Sequence, residues 1–291
     1  MNFDYKRTAT ALFGWVFDRY EKSFQYLAPY IKSSNINVNL RTWISMCFFF
    51  SLIALIVTPL IILVLSMFLT LPLDLFIYLL FFSSIASSLI TFTILYIYPI
   101  EKSNALKRGI ELELPFALSH MSAIASAGVP PEHMFELLIG FEEYPAISQQ
   151  ASLIVRNIKE FGMSSVKAIE NVAERTPSAD FTQILQGIAS TIEKGGNLSK
   201  YLNQMAEKAL FEYKIKREEY LKTLSLYADI YTALLVAAPL MLLAVLAILN
   251  IIGGEVLGFT IQDLIMIITL VVLPLMNTGF LAFIHMTHPG M

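Results

Sequence analysis

Residues 43–69 read WISMCFFFSLIALIVTPLIILVLSMFL and contain no charged side chain. A helix of about 20 apolar residues is long enough to cross a lipid bilayer, so this run can span one. Asp74 is the only charged residue in residues 42–100, and three acidic residues are the only charges in residues 223–291. Each of these two regions is about twice as long as one span requires. The sequence therefore predicts a membrane protein whose apolar helices come in two pairs.

The overall composition agrees with a membrane protein and narrows the function classes. Hydrophobic residues make up 56% of the chain and charged residues 15%, whereas a soluble protein has about 25% charged residues. The single cysteine, Cys47, excludes an intramolecular disulfide and a cysteine-rich metal site. A net charge of −3 gives no reason to expect a nucleic acid as a partner.

A polar or turn-forming break divides each apolar region. Leu71-Pro72-Leu73-Asp74 divides the first, and the stretch from Gly253-Gly254-Glu255 to Gln262-Asp263 divides the second. The breaks predict four spans, at Trp43–Leu69, Leu75–Tyr98, Tyr231–Ile252 and Leu264–Ile284.

The basic residues predict the orientation of the chain. Six of the 20 Lys and Arg lie in residues 1–41 and fourteen in residues 102–222, and the short segments between paired spans have none. Because cytoplasmic segments carry the excess of Lys and Arg, both basic regions and both termini should be cytoplasmic. The expected domains are a cytoplasmic amphipathic segment (1–42), spans one and two (43–98), a cytoplasmic helical domain (99–225), and spans three and four with a short cytoplasmic tail (226–291).

The N-terminal segment has apolar side chains at helical spacing. The stripe comprises Leu12, Val16, Tyr20, Phe24 and Leu27, and it is widened by Phe13, Trp15 and Phe17. Such a helix can lie in the membrane interface or pack on the rest of the cytoplasmic part, and the sequence leaves both alternatives open.

The middle segment is predicted to be a bundle of six helices, because glycine, proline and serine mark helix starts and ends at short intervals. The expected helices begin at Pro115, Pro131, Pro145, Ser164, Ser178 and Leu198. The last of them has no glycine or proline up to Ala238 and so should continue into the third span. This long helix can carry force between cytoplasm and membrane or serve as a plain structural stalk.

The motifs of common enzyme classes are missing from the sequence. The stretch Gly195-Gly196-Asn197-Leu198-Ser199-Lys200 lacks the spacing and the Gly-Lys-Ser/Thr ending of a phosphate-binding loop. His120 and His133 are not surrounded by a metal-ligand pattern, and the pair His285 and His288 has no third ligand. We therefore expect no catalytic residue, no metal and no cofactor, and a protein that is not an enzyme.

Prolines and small residues stand out in the spans. Pro59, Pro239 and Pro274 each remove a hydrogen bond within a helix and favour a kink. Ser84 and Ser88 belong to a small-residue pattern that suits close helix approach, by a partner helix or by a span of the same chain. These five residues are candidates for packing within the membrane or for contact with a membrane-embedded subunit.

The order of the glycine, proline and serine turn motifs in the middle segment resembles that of the F domain of type II secretion and type IV pilus assembly-platform proteins. The resemblance covers about Glu111 to Leu210 together with the flanking spans. Its residues are Leu114-Pro115, Met121, Ala127-Gly128-Val129-Pro130, Phe161-Gly162-Met163-Ser164, Ala168, Glu193-Lys194-Gly195-Gly196-Asn197-Leu198, Leu202 and Ala206.

The resemblance implies a platform in the cell membrane, either a bacterial inner membrane or an archaeal cytoplasmic membrane, that works with a separate hexameric secretion-type ATPase. Its cargo would be pilin-like subunits of a pilus, an archaellum or a secretion pseudopilus. Many such platforms have two F domains, whereas this sequence has one, which resembles the half-size platforms of tight-adherence-type and archaeal systems. A homodimer, or a pair with a second half-size platform protein, would restore two domains.

Two further sets of residues follow from the motifs. The residues expected to cap helices and shape the turns are Gly128, Pro130, Gly162, Ser164, Gly195 and Gly196, with left-handed caps assigned to Gly128, Gly162 and Gly196. The candidates for contact with the ATPase are Lys107, Arg108, Glu193, Lys194, Lys214, Lys216 and Arg217, although such charges can also form an ordinary solvated face.

Two other function classes remain as alternatives. A membrane permease whose middle domain docks an ABC-type ATPase would have the same general layout. A membrane enzyme is disfavoured by the missing motifs.

Overall fold

The computed structural model describes residues 5–34, 36, 38–66, 73–253, 255–256 and 258–287. The described α-helices are α1 (Tyr5–Phe24), α2 (Ala28–Ser33), α3 (Leu40–Ser66), α4 (Leu73–Ser126), α5 (Pro131–Ile139), α6 (Pro145–Lys159), α7 (Ser165–Ala173), α8 (Ala179–Glu193), α9 (Leu198–Tyr231), α10 (Ala238–Ile252), α11 (Ile261–Ile267) and α12 (Leu273–Thr287). A 3-10 turn, Gln25–Leu27, joins α1 to α2. The predicted-break residues Leu71, Pro72 and Gly254, and His288 of the histidine pair, lie outside the described residues.

The predicted all-α membrane fold is confirmed. The helical stretches that are long and apolar enough to cross a membrane are Leu40–Val64, Phe76–Ser126, Leu198–Ile252 and Ile261–His285. Among the described residues, strands are limited to β1 (Glu255–Val256) and β2 (Phe259–Thr260), which form a two-residue antiparallel pair. This pair lies in the predicted break between the third and fourth spans.

The chain divides into two compact units, residues 1–209 and residues 210–291. The first contains α1 to α8 and the beginning of α9. The second contains the rest of α9 and all that follows it.

In the first unit, α1 packs against the membrane helix α3. Phe13 of α1 stacks on Phe48 of α3 with ring centroids 6.2 Å apart, and Ala9 is fully buried. Leu12 and Tyr20, which belong to the predicted apolar stripe, stay exposed at 57% and 53%. The packed face of α1 is therefore the side of the predicted stripe that carries Phe13 and Phe17, and it contacts a spanning helix.

A small core surrounds the start of α3. Trp43 donates a hydrogen bond from Nε1 to the carbonyl oxygen of Leu95 at 3.2 Å, which joins α3 to α4. The hydroxyls of Ser33 and Ser103 lie 2.6 Å apart and join α2 to α4. The buried residues of this core are Phe17, Leu27, Ile31, Trp43, Ile44 and Cys47.

Helix α4 runs without interruption for 54 residues. The prediction that a helix begins at Pro115 is wrong, because Pro99 and Pro115 both lie inside α4. A proline inside a helix costs one backbone hydrogen bond. Here the apolar positions Ile110, Leu114 and Leu118 continue on one buried face across Pro115, so burial keeps the helix intact.

We use the name helical domain for Leu106–Ala209, which share one core. Six helical segments contribute to it: the end of α4, all of α5 to α8, and the beginning of α9. Its large side chains that are almost completely buried include Phe135, Phe181, Leu118, Ile154 and Ile169. The predicted starts of α5, α6 and α9 coincide with the observed ones, and Ser164 and Ser178 are the N-cap residues of α7 and α8.

The second unit contains two π-helical segments, Thr232–Ala237 and Ile268–Val272, each followed within two residues by a proline. The N–H of Ala238, just before Pro239, bonds the carbonyl of Ala233, and the N–H of Leu273, just before Pro274, bonds that of Ile268. Because proline lacks an N–H and its ring crowds the carbonyl four residues earlier, a wide turn accommodates it. The expected kinks at these two prolines are therefore realised as π-helical turns.

Candidate functional site

Three glycines in the turns of the helical domain adopt left-handed backbone conformations. Their φ angles are 76° at Gly128, 61° at Gly162 and 64° at Gly195. A Cβ atom at any of the three would have no atom within 4 Å. The backbone conformation, and not the surrounding space, therefore favours glycine at these turns.

The residues that follow these turns begin the next helices. Pro130 is the N-cap of α5, with Pro131 in the first turn. The Ser164 hydroxyl accepts a bond from the N–H of Lys167 at 3.4 Å, and the Asn197 side chain accepts one from the N–H of Lys200 at 2.9 Å. The turns at Gly162 and Gly195 thus combine a helix end with a side-chain cap of the next helix, whereas α5 begins at a proline without such a cap.

The left-handed cap assigned to Gly196 is wrong, because the left-handed residue of this turn is its neighbour Gly195. A Cβ on Gly196 would instead lie 3.1 Å from Cγ2 of Thr191. Gly140, at the end of α5, has a φ of −77° and also is not left-handed. Two adjacent glycines satisfy the same sequence pattern, so the pattern could not choose between them.

Two close contacts between helices position the domain, and no sequence pattern indicated either of them. The Glu113 carboxylate of α4 accepts bonds from the N–H groups of Ala146 at 3.0 Å and Ile147 at 2.8 Å, at the start of α6. A carboxylate is favoured there because the first N–H groups of a helix have no partner within it. On α8, a Cβ on Gly187 would overlap the ring of Tyr201 from α9, whose hydroxyl donates to the carbonyl of Ile184 at 3.3 Å.

The charged candidates for partner contact are all exposed, and those of the first unit do not form one cluster. Lys107 and Arg108 lie on α4, and Lys107 is 3.8 Å from Glu111 in an exposed ion pair. Lys107 lines the same cavity as Pro177, close to the start of the 15-residue helix α8. Glu193 and Lys194 lie at the other end of α8, about 21 Å away along its axis. The remaining candidates, Lys214, Lys216 and Arg217, lie in the second unit.

Lys107 belongs to a basic cleft that sequence reasoning missed. A cavity of about 710 Å³ lies between α2, α4 and the end of α7, and its cations are Lys32, Lys107 and Arg175. An adjoining cavity of about 410 Å³ shares Lys32 and Arg175 and adds Arg156. Glu174 is the acidic residue among the described lining residues of both. We call these two cavities the Lys32 cleft; sequence spacing could not bring together residues 32 and 175.

Hydroxyl groups also line the Lys32 cleft. The hydroxyls of Tyr26 and Tyr30 lie 3.1 Å apart, and this hydrogen bond raises the pKa of Tyr30 above its ordinary value. The buried Oγ1 of Thr176 has no hydrogen-bond partner among the described residues. The cleft therefore presents cations and hydrogen-bond donors together, which suits an anionic or acidic partner.

Within the membrane part of the first unit, the small residues face the neighbouring span. The Oγ of Ser87 is 2.7 Å from Oγ1 of Thr58, which precedes Pro59, and Ser84 is buried. Ser88 is half-buried beside them. The span of the same chain therefore occupies at least part of the small-residue face.

In the second unit, Pro239 and Pro274 follow the two π-helical segments. The Tyr231 hydroxyl donates to the Asn277 side chain at 3.2 Å, which connects α9 to α12. Asn277 is a polar residue within an apolar span, and its role was not predicted.

The described residues contain no group of three His, Cys, Asp or Glu side chains that could hold a metal ion. His120 stacks on Phe141 with ring centroids 5.1 Å apart and meets Tyr144 edge-on at 5.5 Å. These features define a multi-pass membrane protein in which a spanning helix continues into a compact helical domain.

Comparison with known proteins identifies that domain. Residues 117–246 match the family model of the type II secretion system (T2SS) protein F. The match supports the F-domain resemblance that the turns of the middle segment predict. The match runs from the last turns of α4 to the middle of α10.

An uncharacterized protein of Methanocaldococcus jannaschii is 22% identical over 135 residues. The alignment covers 46% of this chain but only 23% of that protein, which is therefore about twice as long. No solved structure matches the chain.

Proposed function

We propose that the protein is the membrane platform of a type IV pilus-like machine, which builds a pilus or an archaellum or drives type II secretion. In this function it couples a separate cytoplasmic hexameric ATPase to the insertion or extraction of pilin-like subunits. The match of residues 117–246 to the F-domain family model supports a platform of secretion or pilus-type machinery in general. The coupling and its partners are our proposal.

The observation that carries the proposal is the continuity of α4. Its 54 residues extend about 80 Å as a single helix that begins in the second span and ends in the helical domain. Glu113, Leu114 and Leu118 fasten this helix to the core of the domain. Movement of the helical domain would therefore move the span directly, because no flexible linker separates them.

The Lys32 cleft is the surface at which we expect the ATPase to dock. Its cations, together with Arg108, the residue after Lys107 in α4, attract an acidic loop of the motor. Glu193, Lys194, Lys214, Lys216 and Arg217 are further candidates for this contact.

The membrane helices are the expected binding surface for pilin-like subunits, whose helices are themselves hydrophobic. Pro239 and Pro274 lie beside wide π-helical turns, which often mark functional positions in helices. Pro59, Ser84 and Ser88 are the corresponding candidates in the first two spans.

We expect two copies to act together. The M. jannaschii relative is about twice as long as this chain, so a homodimer, or a pair with a second half-size platform, would match its length.

The topology can be tested by cysteine labelling, with the basic segments and both termini in the cytoplasm. A cysteine replacing Gly254 should react with an impermeant reagent from outside the cell. A cysteine replacing Lys194 should react only after the membrane is opened. The reverse pattern would refute the proposed orientation.

The function can be tested by purifying the tagged protein from its native membrane in mild detergent, with and without a nonhydrolysable ATP analogue. Mass spectrometry should find a secretion-type ATPase and pilin-like proteins. The variant K107Q/R108Q should recover less ATPase than the control K167Q/K200Q, which removes two exposed charges elsewhere in the helical domain. Recovery of only an ABC-type ATPase, or of no ATPase, would favour the permease instead.

A further inference from the structure

A second basic cavity lies at the other end of the N-terminal segment, between α1 and the start of α3. Its volume is about 930 Å³. Its cationic side chains are Lys6, Arg7 and Arg41, and Thr10, Asn39 and Thr42 add polar groups. It shares Val38 and Asn39 with the Lys32 cleft but none of its cations.

The residues that line this cavity carry more positive than negative charge. Of the described residues that line it, Asp18 is the acidic one. Arg41 donates a hydrogen bond from Nη2 to Oδ2 of Asp18 at 2.7 Å, so this carboxylate is already engaged. Lys6 and Arg7 therefore give the cavity the character of an anion site.

The cavity lies where the first span begins. Arg41 and Thr42 are in the first turn of α3, whose apolar stretch is Leu40–Val64. Seven residues further along α3, about 10 Å, Phe48 stacks against Phe13 of α1. Helix α1 thus lies against the opening turns of a spanning helix, at the boundary between water and lipid.

The surface of α1 beside the cavity suits this boundary. Trp15 lines the cavity and is 62% exposed, and Leu12 is 57% exposed. Tryptophan is enriched at membrane interfaces, where Lys and Arg near the surface attract anionic lipids. A soluble phosphate compound would use the cations but would gain nothing from these apolar side chains.

We infer that this cavity binds the phosphate headgroup of an anionic phospholipid, with Lys6, Arg7 and Arg41 around the phosphate and with Trp15 and Leu12 against the acyl chains. The site would fix α1 on the membrane surface. It goes beyond the platform function and does not depend on it.

The test uses the full chain in nanodiscs of phosphatidylcholine that contain a minor fraction of phosphatidylglycerol. The variant W43F leaves Trp15 as the single tryptophan, since the chain has two. Bromine on the acyl chains quenches nearby tryptophan. Brominated phosphatidylglycerol should therefore quench Trp15 several times more strongly than the same fraction of brominated phosphatidylcholine.

Charge variants in this background identify the site. A cation near the surface strengthens attraction to anionic lipid by roughly fivefold, so K6Q/R7Q should remove most of the several-fold preference for phosphatidylglycerol. The charge-conserving variant K6R/R7K should keep the preference, which controls for folding. K167Q/K200Q, with the same loss of charge on the helical domain, should also keep it.

Two results would overturn the inference. One is a preference for phosphatidylglycerol that K6Q/R7Q leaves unchanged. The other is displacement of brominated phosphatidylglycerol by millimolar inorganic phosphate, which would assign the cavity to a soluble phosphate compound. Both results measure lipid binding alone, so neither is evidence for or against the proposed platform function.

Discussion

The helical domain and the membrane part of the second unit are both built from helices, but different contacts hold each of them together. In the helical domain, large side chains such as Phe135 and Phe181 are almost completely buried. In the second unit, most apolar side chains are exposed, as Leu240 is at 62% and Leu270 at 63%, and α9 meets α12 through Tyr231 and Asn277. Lipid can solvate an exposed apolar face, so helices in a bilayer need less packing against protein. Changes in volume should therefore be costly in the helical domain, whereas single polar contacts should have small effects in the spans.

The largest effect is expected from Gly187→Ala in the helical domain. The added methyl overlaps the ring of Tyr201, which must leave its half-buried position and lose its bond to Ile184. Overpacking of this kind costs about 2 kcal/mol of unfolding free energy. The measurement is the denaturation midpoint of the full chain in detergent, followed by protease sensitivity of the helical domain.

The matched control is Gly140→Ala. At Gly140 the nearest atom to an added methyl is the Leu137 carbonyl oxygen at 3.5 Å, an ordinary contact, so stability should hardly change. In a Tyr201→Leu background, Gly187→Ala should lose most of its cost, because the overlapping ring is gone. An equal cost in both backgrounds would show that the contact with Tyr201 is not the cause.

The next largest effect is expected from Glu113→Ala, which removes the acceptor for the N–H groups of Ala146 and Ile147. Loss of a capping side chain costs about 1.5 kcal/mol. Glu113→Gln keeps an acceptor oxygen and should cost less. Glu111→Ala is the control, because its exposed ion pair with Lys107 is worth little. Hydrogen exchange at the start of α6 should rise in the Glu113 variants alone.

Gly195→Ala tests which of the two adjacent glycines is the left-handed one. An alanine at a φ of 64° costs about 1 kcal/mol through its backbone, although nothing crowds the methyl. Gly195→Asn should recover part of this loss, since asparagine tolerates the left-handed region. At Gly196 the cost depends on whether Thr191 can yield a few tenths of an ångström, so Asn should offer no advantage over Ala there. If Asn rescues position 196 and not 195, the assignment is reversed.

Local sequence patterns were sufficient for most of the fold. Charge distribution located the four spans, and serine and proline located the starts of α5 to α8, because these signals act within a few residues of the feature that they specify. The same reasoning failed at Pro115, where the buried face of α4 outweighs a local helix-breaking signal. It also could not separate Gly195 from Gly196, since φ depends on how the whole turn closes.

Less of the candidate sites could be predicted from the sequence, because these sites depend on contacts between distant parts of the chain. Lys107 was identified from its charge, but its neighbours Lys32 and Arg175 became visible only in the fold. The cap that Glu113 provides for α6 and the contact between Gly187 and Tyr201 likewise join residues of different helices. The π-helical turns at Pro239 and Pro274 had a local signal, the proline itself, but that signal equally permits a kink.

The smallest effect is expected in the membrane part, from Tyr231→Phe. This change removes the hydroxyl that donates to Asn277 and leaves the ring, which packs 5.5 Å from Phe280, in place. Hydrogen bonds between membrane helices average about 0.6 kcal/mol, because the separated helices also find partners. The cost can be measured as a double-mutant cycle with Asn277→Ala in the full chain, using the denaturation midpoint in detergent. A coupling as large as the cost of Gly187→Ala would contradict the contrast between the two regions, because a single polar contact would then stabilise the spans as strongly as close packing stabilises the helical domain.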